Sequence, residues 1–210
     1  MVRPGQMRPD APVFCICGPS AAGKTSFASA LDVRLSQRGI GVLRIACDDY
    51  YRADWTPHPL FGYDTVDAVD CEALDVDLLK ARRRQATSLR RYDMRCRRVD
   101  RRPISTSYDL ILVEGSYGPQ MLVGRCPLAS LVYLDESLPL RLYRRLRRDV
   151  RDRNRPPRYV IRQMLREMLP GERAFIHPLR QQADLVVRDQ RRGLENLLVR
   201  MDRAFESDPG

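Results

Sequence analysis

Lysine is almost missing from this chain: thirty-five arginines stand against two lysines, Lys24 and Lys80. Histidine is equally scarce, with only His58 and His177, and there is one tryptophan, Trp55. The six cysteines contain no C-x-x-C pair, and neither histidine lies at ligand spacing to them. That leaves a zinc site as the lesser alternative. Cys15 and Cys17 read instead as small buried hydrophobes on a strand, and the cysteine usage fits a reduced, cytoplasmic protein. No stretch approaches the ~20 apolar residues of a membrane span. Residues 1–12 hold two prolines and a glycine before Pro12 and lack the apolar region of a secretory leader. They read as a flexible tail ahead of a single domain over 13–210. No internal repeat or low-complexity segment stands out beyond the density of arginine.

The chain has 210 residues, 43% hydrophobic and 30% charged, enough for one domain with its own core. A formal net charge of +10 favours anionic partners, whether nucleotide, phosphorylated substrate, nucleic acid or membrane surface. The position of one lysine narrows this. Lys24 sits in Gly18-Pro19-Ser20-Ala21-Ala22-Gly23-Lys24-Thr25, followed by Ser26, which fits the phosphate-binding pattern G-x-x-x-x-G-K-[S/T]. Val13–Cys17 before it reads as a buried strand. Residues 26–38 after it read as a helix, with Phe27, Ala30, Leu31 and Leu35 at helical spacing and Gly39 as C-cap. A strand, a glycine loop and a helix N-terminus make an anion site, because successive N–H groups and the helix dipole face the same point. The competing reading, a chance match in a turn, does not account for the flanks.

Further apolar runs at 41–46, 109–113, 131–134 and 183–187 read as strands. Helical patterns fall at 72–86, 138–153, 158–168 and 193–206. Strands separated by helices predict an α/β fold: three layers around a central, mostly parallel sheet, with ligands beyond the carboxyl ends of the strands. Residues 49–103 break the rhythm and read as an insertion over that rim, where an acceptor would sit. Within it, 90–98 is a basic, turn-rich stretch. A surface excursion without function is the plainer alternative.

Phosphoryl transfer requires a positioned hydroxyl, a metal bridging phosphate oxygens, and charge neutralisation. Thr25 supplies the expected Mg²⁺ hydroxyl ligand. Asp48 and Glu114, each directly after an apolar strand, are placed to steady the metal, and Asp48 is the candidate base. Arg141, Arg144, Arg145, Arg148 and Arg151 share one helical face, followed by Arg153, Arg155 and a Pro156-Pro157 break. A solvated basic face is one explanation. A lid over about 144–157 that braces phosphate oxygens is the other. Ten arginines between positions 82 and 102 raise a third reading, a nucleic-acid-binding NTPase, but they lack the interleaved aromatics that stack bases.

Five segments in order, G-P-S-A-A-G-K-T-S at 18–26, D-D-Y-Y-R at 48–52, Y-D-T-V-D-A-V-D at 63–70, V-E-G at 113–115 and R-R-L-R-R-D-V-R-D-R-N-R at 144–155, resemble the uridine kinase branch of the phosphoribulokinase/uridine kinase family of P-loop kinases. The resemblance spans about Phe14 to Val187. It implies ATP and Mg²⁺ as cofactors and a small alcohol as acceptor, foremost the 5′-hydroxyl of uridine or cytidine. By position it implies Asp48 as base on that hydroxyl and Glu114 as support for Mg²⁺. Tyr51, Asp64, Tyr92 and Gln163 would contact the nucleoside, and Arg145, Arg148, Arg153 and Arg155 would form the lid. The sequence departs from the family pattern at Met94, where an aromatic is expected, and at Arg97, where a base-reading histidine is expected. The segment before Asp67 also lacks the usual Asn, His and Pro. A buried Arg97 would need a carboxylate, with Asp64, Asp67 and Asp93 at hand. Nicotinamide riboside, pantothenate or a sugar phosphate therefore stand as alternative acceptors. Nothing in the sequence excludes a homo-oligomer.

Overall fold

Apolar runs without polar alternation form the centre of the sheet, as strands covered on both faces must. The computed structural model describes residues 10–206. Its elements in chain order are β1 (Val13–Cys17), α1 (Lys24–Ser36), β2 (Val42–Ala46), α2 (Cys71–Arg82), β3 (Ser88–Asp93), β4 (Arg98–Pro103), β5 (Leu110–Gly115) and α3 (Pro119–Leu122). These are followed by β6 (Leu128–Leu134), α4 (Leu138–Arg151), α5 (Pro157–Gln163), α6 (Leu169–Gly171), α7 (Leu179–Gln182), β7 (Leu185–Val187) and α8 (Gln190–Glu206). The main sheet runs β2-β5-β1-β6-β7 and every neighbouring pair is parallel. All residues of β1 and β5 are buried.

The period-two alternation of β1 divides the core. Phe14 and Ile16 face Phe27, Leu31 and Leu35 of α1 and Leu197, Leu198 and Met201 of α8. Val13, Cys15 and Cys17 face the other way, toward Leu74, Leu78 and Ala81 of α2 and Tyr50. Three layers result. Burial pushes the Cys17 thiol up to about 12, so it packs as a neutral, small apolar group. At the end of α1, Gly39 adopts φ +76°, its N–H reaches Ser36 O at 3.0 Å, and Ile40 N–H reaches Leu35 O at 3.0 Å. This paired closure is the glycine C-cap that residue 39 predicts. The helix starts earlier than expected, at Lys24, because the phosphate loop itself winds into the first turn.

Four sequence expectations change. The predicted tail ends sooner than residue 12: Asp10 pairs with Arg82 at 2.9 Å, Ala11 N–H donates to Arg82 O at 2.8 Å, and Pro12 O accepts from Ile111 N–H at 2.9 Å. Residues 1–9 lie outside the described residues. The basic stretch at 90–98 belongs to an antiparallel hairpin, with Tyr92 opposite Val99 and Asp93 opposite Arg98. Apart from Arg90, which turns inward onto Asp70 and Tyr51 O, its charged side chains are exposed, so no apolar alternation marked it. Within the predicted insertion, α2 belongs to the main core. The helix expected to end at 168 continues to 176. Two wider π turns, Met164–Met168 and Glu172–Ile176, carry it past Pro170, whose missing N–H would otherwise break an α-helix. Among the described residues no helix is long and apolar enough to cross a membrane.

Candidate active site

The loop after β1 has the backbone of an anion cradle. Gly18 sits at φ +140°, where an added Cβ would lie 2.7 Å from Leu134 O, so only glycine passes this close to β6. Ala21 and Gly23 take left-handed conformations, φ +60° and +91°, turning successive N–H groups toward one point at the start of α1. An alanine held there is strained, and such strain clusters at functional sites. Lys24 is buried, and Nζ donates to Pro19 O at 2.9 Å and Ser116 Oγ at 2.7 Å. Burial lowers its pKa, opposed by the charges of Glu114, Asp48 and Glu172.

The loop is braced from behind. Glu172 is 1% exposed; it accepts from Ser20 N–H at 2.8 Å, and Arg141 Nη1 lies 2.9 Å from both its oxygens. Arg141 also donates to Ser20 O at 3.3 Å. It is therefore neither a lid residue nor part of a solvated face; it fixes the phosphate loop to the end of the long helix.

On the next strands, Thr25 Oγ1 donates to Glu114 Oε1 at 2.8 Å. Glu114 is the penultimate residue of β5, paired with Ile16 on one side and Ala46 on the other. Asp48 follows β2 directly, in a short 3-10 turn, and is exposed to the cleft. Burial first, and then the charge of Asp48, push the Glu114 carboxyl upward. Two carboxylates and a hydroxyl thus line the same part of the rim and could hold a cation. Among the described residues no cluster of three His, Cys, Asp or Glu forms a metal cage. The donor set fits instead a hard ion completed by phosphate and water, as Mg²⁺ is usually held.

The lid is organised by a residue the sequence reading passed over. Asp149 is fully buried, with Arg148 Nε at 3.0 Å, Arg153 Nη1 at 3.4 Å, and Arg145 Nε and Arg155 Nη1 each at 3.8 Å. One carboxylate thus gathers four guanidinium groups. Burial first, and then the like charge of Arg148, pull the Arg153 pKa down. Arg145 grips Asp64 through both terminal nitrogens at 3.2 Å and donates to Ser20 Oγ at 3.1 Å. The signal for Asp149 was present: it interrupts the arginine run on the face that also carries Arg141 and Arg145.

Opposite the phosphate loop stand Tyr51, Tyr63 and Tyr92, with the Tyr51 and Tyr92 ring centroids 6.1 Å apart. Gln163 is buried and accepts from Arg155 at 3.3 Å. Arg153 reaches across to Met94 Sδ at 3.2 Å, joining lid to hairpin. Arg97 departs from expectation. It is exposed, its guanidinium lies 5.4 Å from the Tyr63 ring centroid, and it donates to Trp55 O at 2.7 Å. The anticipated carboxylates are engaged elsewhere. Asp64 holds Arg145, Asp93 accepts from the N–H groups of Arg95 and Cys96, and Asp67 meets Thr65.

Ser20, Ala21, Gly23, Lys24, Thr25, Ser26, Asp48, Tyr51, Asp64, Tyr92, Arg97, Glu114, Arg145, Arg148, Arg153, Arg155 and Gln163 all line one cleft of about 680 Å³. Gly18 and Ala22 do not; they shape the loop beneath it. The sequence reading missed Tyr63, Ser116, Tyr117 and Tyr159 on the same walls.

A parallel sheet with a phosphate loop at its carboxyl rim, a carboxylate pair beside it and an arginine-rich lid defines a P-loop kinase. Residues 13–194 match the Phosphoribulokinase / Uridine kinase family, and the chain belongs to that family. It is 30% identical over 214 residues to a uridine kinase of Chloroflexus aurantiacus, covering 94% of this chain and 97% of that protein. Among solved structures it resembles a putative fructose transport system kinase from Silicibacter sp. TM1040, with TM-score 0.66 and 16% identity over 89% of this chain and 93% of that one. It also resembles a possible uridine kinase from Bacillus stearothermophilus, with TM-score 0.59 and 21% identity over 88% and 92%. The chain is a phosphotransferase acting on an alcohol acceptor.

Proposed function

We propose that this protein transfers the terminal phosphoryl group of ATP to the 5′-hydroxyl of uridine or cytidine. The observation that carries the reading is one cleft lined together by the phosphate loop, Asp48 and the tyrosines Tyr51, Tyr63 and Tyr92. The uridine kinase named above, matched over nearly its full length, supports the pyrimidine nucleoside as first candidate.

The chain's own residues account for the steps. N–H groups from Ala21 to Ser26 hold the donor's phosphates, and Lys24 leaves Pro19 O and Ser116 to meet their oxygens. Thr25, Glu114 and Asp48 would hold Mg²⁺, which when bound neutralises phosphate charge. Asp48 accepts the proton of the attacking hydroxyl. Arg148, Arg153 and Arg155 approach the transferring group, where donors fixed in advance stabilise developing charge. Tyr51 and Tyr92, already in tilted contact with each other, form an aromatic wall against the acceptor, with Asp64 on its ribosyl hydroxyls and Gln163 a further contact. The buried, cleft-directed setting of Arg145 favours a lid over a nucleic-acid face.

A second acceptor class has its own support. Arg97 projects an exposed guanidinium at the cleft mouth where it would meet a carboxylate or phosphate on the acceptor. The test is ADP release with ATP and Mg²⁺ across uridine, cytidine, nicotinamide riboside, pantothenate and ribulose 5-phosphate. Highest kcat/KM for uridine or cytidine supports the first reading; highest for an anionic acceptor replaces it with the second.

A further inference from the structure

Tyr117 carries a hydroxyl that the fold itself leaves unused. The residue is 3% exposed, and its hydroxyl is buried without a hydrogen-bond partner. A buried phenol normally finds a partner, and one that lacks it is costly to keep. The neighbourhood is built around this ring. Its edge packs against Phe175, with centroids 6.4 Å apart at 73°. Gly171 leaves room for the hydroxyl: a Cβ there would stand 2.9 Å from Tyr117 Oη and 2.1 Å from Asp64 O. Ser116, one residue earlier, holds Lys24. Tyr117 itself is one of the residues lining the cleft, together with Lys24, Ser116 and Asp64.

We propose that Tyr117 is a specificity-determining residue of the acceptor site, its hydroxyl donating to an acceptor oxygen next to those that Asp64 reads. The proposal deepens the kinase reading and rests on it for the location of the acceptor. The ligand chemistry it selects is a compound with adjacent oxygens on one edge, such as the vicinal hydroxyls of a ribosyl group or sugar. Asp64, as a carboxylate, only accepts hydrogen bonds; the phenol supplies the complementary donor. Burial, with the charge of Asp64 and then Tyr51, pushes the Tyr117 pKa upward, so the group remains a protonated donor at neutral pH.

The experiment compares wild type with Tyr117→Phe, using uridine, 2′-deoxyuridine and 3′-deoxyuridine as acceptors and thermal unfolding as the stability readout. Removing an unpartnered hydroxyl should leave Tm unchanged or raise it by about 2–4 °C. KM for uridine should rise about 10-fold while KM for ATP stays constant. Wild type should discriminate against one deoxy analogue, and the variant should lose that discrimination. An equal uridine KM in both proteins, with a lower Tm for the variant, would overturn the proposal and make the hydroxyl structural. If wild type does not turn over uridine, the pyrimidine reading fails separately. The same KM comparison, on whichever alcohol of the panel supports ADP release, then decides the role of Tyr117.

Discussion

Arg145 and Asp64 face each other squarely: Nη1 and Nη2 lie 3.2 Å from Oδ1 and Oδ2, with both side chains nearly out of solvent. The pair joins the arginine helix α4 to the loop that carries Asp64, linking two walls of the cleft. Arg145 Nε and Asp149 Oδ2, 3.8 Å apart, both lack hydrogen bonds. The pair therefore holds only part of what the two buried groups could make.

Breaking this pair from one side leaves a buried charge without its partner, at a cost of about 3–5 kcal/mol. Asp64→Ala should lower stability by that order in urea unfolding. The double variant Asp64→Ala/Arg145→Met should recover part of the loss, since no orphaned charge remains. Strict additivity of the two single losses would show that the ion pair does not couple lid to acceptor loop.

Arg148 has a half-exposed side chain held at its base by Asp149 and is free at its tip to meet phosphate. Arg148→Ala should reduce kcat more than it raises KM for ATP, a loss of about 2–4 kcal/mol of transition-state stabilisation. Asp149→Asn should act in the same direction, because it releases the guanidinium cluster from its only fully buried carboxylate. An RNA-affinity defect with unchanged turnover would point away from a lid.

Arg97 closes the hairpin turn in a left-handed conformation, φ +56°, a position that suits glycine or asparagine. The exposed guanidinium also lines the cleft, where an anionic acceptor would meet it. Arg97→His should shift the ratio of kcat/KM between uridine and an anionic acceptor by about 10-fold or more in favour of uridine. An unchanged ratio would mean that the guanidinium serves the hairpin through Trp55 and Tyr63 alone.

The sequence made β1, the phosphate loop and the carboxylates at the strand ends legible, because each combines a local pattern with a fixed place on the rim. Lys24 was conspicuous amid arginine, and Asp48 and Glu114 followed apolar runs. The β3–β4 hairpin was not legible: its exposed arginines hide the strand period, and its turn uses Arg97 where a glycine would have announced it. Arg141 and Arg145 looked like neighbours with one job. Only the fold shows Arg141 beneath the phosphate loop on Glu172, and Arg145 on Asp64. The partners are 31 and 81 residues away in sequence, beyond any local spacing rule. The sequence pattern predicts a helix over 158–168 only, whereas π turns carry the helix on through Pro170 and Gly171 to deliver Glu172.

If Asp48 takes the proton from the alcohol, as proposed, Asp48→Asn should all but stop the transfer. Asparagine keeps the size and polarity but cannot serve as the base. Single-turnover phosphoryl transfer to the best acceptor of the panel, measured beside ATP affinity by titration, separates chemistry from donor binding. The rate should fall by about 10²–10⁴ with ATP affinity largely retained. A variant that transfers phosphate at close to the wild-type rate would contradict that role for Asp48.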